Sequence, residues 1–324
     1  LSLVAVALLG LVSVAKAAPL DARNVPAGAT WVIHVDVDAI CQSTIVKNAY
    51  AMCLEKHKDA VEKAFAKIRE HVGMDPRKDL HGITLFGPKI GQHKGAMLIQ
   101  ATLDQKVLGE KVKKAQDYRV SKYGAYEISS WTAKSKKGTH GAAGAFAKSG
   151  MLVLADSVES VMAALDVLDG KQPSMAKGSP LVAGIPAGAT VVARITGIAE
   201  AVPPGRSPLP KQIESLSLAM GENQGQSFLS AKLVTKTSET AAAIKTIIEG
   251  GKALAQLRHM GDAEASKLID QVKVSVSGTT VAVDFRAPVS AVWAHLQKVA
   301  KELQAMHQHA ANKPAAAKPA PAKK

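Results

Sequence analysis

With 324 residues, 47% of them apolar and only 4% aromatic, the chain is long enough for one large core or two medium ones, built mostly on Ala, Val, Leu and Ile. It carries 41 Lys and Arg against 27 Asp and Glu, a formal +14, which points to acidic partners: nucleic acid, anionic headgroups or acidic envelope polymers. Two cysteines exclude a disulfide framework, since Cys41 and Cys53 allow at most one internal bridge.

Leu3 to Val14 is a continuous apolar stretch, and Ala15-Lys16-Ala17 before Ala18 has the small-x-small form of a signal-peptidase site. The stretch is too short for a bilayer span, which needs about 20 residues. Residues 1–17 therefore read as a signal peptide, and the mature chain as secreted, periplasmic or held in the cell envelope. No later segment is apolar enough to be a transmembrane helix.

One phrase then occurs twice. Val25-Pro26-Ala27-Gly28-Ala29-Thr30 precedes an apolar run from Trp31, and Ile185-Pro186-Ala187-Gly188-Ala189-Thr190 precedes another from Val191. Pro beside Gly marks a turn, and the β-branched run after it a strand. The repeat divides the chain into a first unit over 18–178 and a second over 179–309. Residues 310–324 form a tail rich in Lys, Pro and Ala, expected to be disordered.

In the first unit, Trp31 to Val37 alternates as a half-buried strand. A long inserted helix follows, capped at Ser43 or Thr44 and ended by Gly73, with Asp75-Pro76 preventing its restart. Cys53 lies on its apolar stripe and Cys41 just before it, so two buried or half-buried thiols are the simple reading. Strands are expected at Ile83 to Phe86 and Ala96 to Leu103, then a short helix capped by Asp104. Two hairpins follow, Tyr118 to Trp131 and Ala142 to Ala155, and then a helix to Leu168 opened by Asp156 with Glu159. The second unit replaces the long helix by the proline-rich Pro203 to Pro210. It continues with a hairpin from Ile213 to Val234, a helix capped by Thr237 or Ser238 and interrupted at Gly250-Gly251, a hairpin from Val272 to Phe285, and a closing helix after Pro288. The fold class is α+β, internally duplicated, with mainly antiparallel sheets each covered by helices on one face.

Candidate sites are few. His34, Asp36 and Asp38 end the first strand, and an imidazole with two carboxylates is a reasonable ligand set for a divalent transition metal. The second copy of the phrase puts Arg194, Thr196 and Ile198 at those places, so the fold does not require the trio. The simpler alternative is a polar strand face ending in a helix-capping Asp38. His81, His93 and His140 sit beside glycines, and the spacing of His307 and His309 puts them on different sides of a helix. Nucleophile elbows, Walker loops and Cys-x-x-Cys pairs are lacking, as is any specific nucleic-acid motif.

The opening Pro-Ala-Gly-Ala-Thr-Trp-Val-Ile-His-Val-Asp-Val-Asp-Ala-Ile resembles the "PADA-x-hydrophobic-Asp-Leu-Asp-Ala" start of uncharacterised secreted bacterial proteins. Asp156-Ser157-Val158-Glu159-Ser160, a "DS-x-E" opening an Ala/Leu helix, is similar to the same pattern. The resemblance implies a duplicated α+β protein behind a signal peptide, and no activity or functional residue. The expectation is an exported, non-catalytic protein without a cofactor. It would bind an envelope component or other polyanion through lysine-rich surfaces, with Lys56, Lys63 and Lys67 as the binding residues. The alternative is a metal-dependent hydrolase or metal-binding enzyme on His34, Asp36 and Asp38.

Overall fold

Both copies of the repeated phrase close a turn with the same backbone bond, the Ala29 N–H donating to Pro26 O at 3.0 Å and the Ala189 N–H to Pro186 O at 3.2 Å, although only the second turn has its glycine in the left-handed region. The turns deliver strands β1 (Trp31–Asp36) and β8 (Ala189–Thr196), which pair antiparallel with each other. Ile33 faces Ala193, its own counterpart in the repeat. On either side the partners exchange, Trp31 with Ile195 and Val35 with Val191, which is the register of a local twofold axis. At the end of this ladder the N–H and Oγ1 of Thr196 both donate to Thr30 O, at 2.7 and 3.0 Å.

The computed structural model describes residues 19–311 except 91–93, 136–137, 148–149, 176–177 and 202–208. The expected signal peptide, most of the tail, His93 and most of the proline-rich segment lie outside the described residues. Outward from β1 run β2 (Leu80–Gly87), β3 (Ala96–Ala101), β7 (Met151–Ala155), β6 (Gly138–Phe146), β5 (Tyr126–Ser135) and β4 (Gln116–Tyr123). Outward from β8 run β9 (Ile213–Asn223), β10 (Gln226–Thr235), β12 (Thr280–Pro288) and β11 (Lys273–Ser277). The protein is α+β, and its described strands form one antiparallel sheet of 12, where a sheet in each half was expected.

The two arms share an order of elements. Each has three strands, then helix, then a strand pair whose second member returns beside the third strand, then a final helix. In the first arm those helices are α4 (Gln105–Val112) and α5 (Val158–Leu168), and the β4/β5 hairpin is extra. In the second, beyond the short α6 (Ile198–Ala201) that follows β8, they are α7 (Ser238–Arg258), with α8 (Ala263–Asp270) after it, and α9 (Val289–Ala311). Gly250 and Gly251 do not interrupt α7.

The arms are covered differently. Val161, Ala164 and Leu165 of α5 bury the sheet face that carries Val32, Leu98, Val153 and Ile128. Ala241 and Ile244 of α7 pack on Val281, which the strand registers place on the opposite face. The end of that opposite face in the first arm is closed by α1 (Val37–Gln42), where Val37 packs with Leu80 and Ala101. Two caps differ by residue from the sequence reading: Asp36, not Asp38, caps α1, and Ser157, not Asp156, caps α5. Ser157 has its hydroxyl within reach of the Ser160 N–H.

Helix α2 (Thr44–Val72) starts and stops where expected. Ser43 Oγ accepts from the Val46 N–H, and Gly73 ends it with φ 76°. It is not one straight rod, however, because His57 leaves helical geometry at φ −142°, ψ 31°. Tyr50 and Phe65 would stand about 22 Å apart on a straight helix. Here they share one buried cluster with Val61, and Cys41 and Cys53 pack half-buried against it without a disulfide.

The bend closes on Arg77, in the short helix α3 (Pro76–Asp79). Its guanidinium lies 4.2 Å over the Phe65 ring, gives Nε and Nη2 to Asp75 at 2.9 and 2.7 Å, and reaches Glu62 at 2.9 Å and the Tyr50 hydroxyl at 3.5 Å. Arg69 adds a second cation to Asp75. Both Arg77 and Asp75 are nearly buried, so each needs the other. At its start α2 is tied to the second arm, where Glu222 accepts from the N–H groups of Thr44 and Ile45 at 2.7 and 3.0 Å. A carboxylate there satisfies free N–H groups and complements the helix dipole.

Three outcomes follow from this geometry. Gly188 has φ 78°, and a Cβ there would stand 2.3 Å from Glu222 O, whereas Gly28 lies outside the left-handed region with open space around it. Gly188→Ala should therefore lose about 1–3 kcal/mol in urea unfolding and Gly28→Ala less than about 0.5. Arg77→Ala leaves the nearly buried Asp75 with only the largely exposed Arg69 as a cation and should lose about 1–3 kcal/mol, read from the same unfolding curves. The third outcome concerns pH. Arg77 first, and Arg69 after it, hold the Asp75 carboxyl well below the usual carboxylate range against the opposing effect of burial. Its contribution is complete above the unfolded value of about 3.9 and is lost as pH falls from there toward the folded value. Asp75→Asn should flatten the stability profile below about pH 4, as followed by circular dichroism.

Candidate functional site

The pleat of β1 puts Val32, His34 and Asp36 on one face, all three buried. The three polar side chains of this region then go to separate partners. His34 Nδ1 lies 2.9 Å from Thr84 Oγ1 on β2. Asp36 Oδ1 accepts from the Ala39 N–H at 2.8 Å, as a helix cap does. Asp38, inside α1, has its oxygens 3.1 and 3.2 Å from His81 Nδ1. Among the described residues no group of three or more His, Cys, Asp and Glu is placed to hold a metal ion.

The Asp38 carboxyl is pushed above its ordinary value by burial first of all. The hydrogen bond and charge of His81 act against that, and Asp36 adds to the rise. His81 lies on β2, with Nε2 3.4 Å from Thr102 Oγ1. Its link to Asp38 was missed in the sequence, because 43 residues separate the two and only the β1/β2 register joins them. His34 also lines an open cavity of about 840 Å³ between the sheet and the strap from Leu20 to Asn24, with Thr84 and Gln100 beside it. At the mouth Asp21 holds Arg23 in a two-pronged pair. His140 is at the exposed start of β6, well apart in sequence and strand order from His81, and the side chains of His307 and His309 lie outside the described residues.

The three singled-out lysines sit on α2. Lys56 directly precedes the break at His57, and Lys63 and Lys67 follow it one turn apart. All are exposed. The burial of Val61 and Phe65 fixes which side faces inward, so Lys63 and Lys67 project away from the Arg77 cluster. Among the described salt bridges none uses these lysines, while Glu62 is committed to Arg77. Asp59 and Glu70 share the outer surface, so the face carries both signs with lysine in excess. Among the described residues no helix is long and apolar enough to cross a membrane.

No protein family and no curated protein matches the chain. Among solved structures, three crystal forms of TP0453 are similar. Form III has 9% identity and a TM-score of 0.40 over 86% of this chain and 98% of that one. Form I has 8% identity and 0.42 over 87% and 98%, and form IV 10% and 0.42 over 87% and 97%.

Proposed function

We propose that the chain is an exported, non-catalytic protein that binds an acidic polymer of the envelope, with Lys56, Lys63 and Lys67 in contact with it. The observation that supports this reading is the state of those three ammonium groups: exposed, outside every described ion pair, and carried by a helix whose bend is clamped from below. A fixed lysine that neutralises a polymer charge releases a condensed counterion, so several acting together give an affinity that falls steeply with salt. Screening limits each lysine to about 8 Å at physiological ionic strength, which makes a local cluster worth more than the same charges spread over the surface. Export rests on the apolar stretch and Ala15-Lys16-Ala17, and the absence of catalysis on the missing nucleophile motifs.

Retention on an acidic polysaccharide and on DNA across a salt series tests the reading. Charge reversal at Lys56, Lys63 and Lys67 should lower the slope on DNA by roughly one per lysine, and removal of residues 313–324 should have a smaller effect. Equal retention of wild type and triple variant at low salt would refute this placement of the contact.

A further inference from the structure

The place His34 holds in the first arm is held by Arg194 in the second, and there the chemistry changes. The registers set Arg194 on β8 opposite Ser217 on β9, and Ser217 opposite Lys232 on β10. Residues opposite one another in a ladder share a face, and strands lie about 4.8 Å apart, so the two cations stand about 10 Å apart at their Cα atoms with a hydroxyl between them. The segment after Leu181 crosses above, and with Ser230 these groups line a cavity of about 190 Å³.

No acidic side chain is among the described residues that line it. Asp284 stands opposite Ser230 on β12 outside the lining, and neither Arg194 nor Lys232 takes part in a described ion pair. Arg194 gives Nη2 to Gly184 O at a long 3.4 Å, and its Nε is buried with no partner among the described residues. Burial alone lowers the guanidinium's pKa, with no acid acting the other way. A half-buried guanidinium with an unused donor costs free energy that a bound anion would offset. The first arm shows that the fold does not require a cation here. At the corresponding positions it has His34 against Thr84, a neutral-capable pair already bonded at 2.9 Å.

We propose that Arg194, Ser217 and Lys232 form a phosphate-binding pocket, the guanidinium and ammonium flanking one tetrahedral oxyanion, with the Ser230 hydroxyl donating to it and the Ser217 hydroxyl turning to it from a long 3.5 Å bond to Lys232 O. Arginine offers a planar fork of donors to such an anion, and lysine a point charge beside it. The pocket is independent of the α2 lysines, so either assignment stands if the other fails. The anion can be free phosphate or a phosphate group carried on a polymer.

Titration calorimetry of the mature protein with inorganic phosphate, at ionic strength held constant with chloride, should give saturable binding at one site. Lys232→Gln and Arg194→Gln should each weaken it about tenfold or more, while Lys122→Gln, on the exposed rim strand β4, leaves it unchanged. Lys232 is exposed, so its variant keeps the test decisive should Arg194→Gln fail to fold. A parallel titration with a short polyphosphate separates the sources. Tighter binding than phosphate with the same dependence on Lys232 assigns a polymer-borne group, and equal binding assigns the free ion. Absence of saturable phosphate binding, or binding of either probe that Lys232→Gln does not weaken, would overturn the site.

Discussion

Everything in the sheet depends on the ladder between β1 and β8. Five cross-strand pairs centred on Ile33 and Ala193 join two arms that would otherwise each present an open central edge. Because period-2 alternation ties face to register, a slip of one residue would turn Val32 out of the α5 core and His34 off the same face, and bring Trp31 and Ile33 in. The turns at Pro26 and Pro186, closed by the same backbone bond, lead into the two strands from opposite ends of this ladder. The Glu222 carboxylate on the α2 start is a second tie between the arms, and it works only because β9 is the next strand out from β8.

Local chemistry was legible and long-range pairing was not. Asp104 and Thr237 cap helices, Ser43 and Gly73 bound α2, and the hairpins fall where alternation and glycine place them. These features need only neighbours within a few residues. The union of two sheets depends on the partner each central strand chooses, which periodicity does not encode. The break at His57 has no proline or glycine to announce it; it follows from Arg77 drawing Tyr50, Glu62 and Phe65 to one point. The same limit explains the site. The residues His34, Asp36 and Asp38 were visible, and the separate destinations of their side chains were not, because Thr84 and His81 enter through the β2 register.

Two arginines show how burial divides structure from candidate function. Arg77 is enclosed by Asp75, Glu62 and the Phe65 ring, so its charge is used up in holding a bend. Arg194 is half-buried beside serines and a carbonyl, with its charge unanswered by any described acid. A sequence count of 41 basic residues treats them alike. Only their folded surroundings tell the clamp from the open cation.

The rims of the sheet bear on how the protein behaves in company. A ladder of 12 strands ends in two rows of unpaired peptide groups, and such rows template further strands. Here β4 carries Arg119 and Lys122, and its register shifts between Gln116 and Arg119, where Asp117 takes φ 57° and accepts from the Thr132 hydroxyl. The other rim, β11, is only five residues long and begins with exposed Lys273. A bulge, a short strand and like charges on both outer strands are obstacles to stacking rim against rim. The chain extends its sheet across two arms inside one molecule, and both described rims carry features that oppose extending it from one molecule to the next.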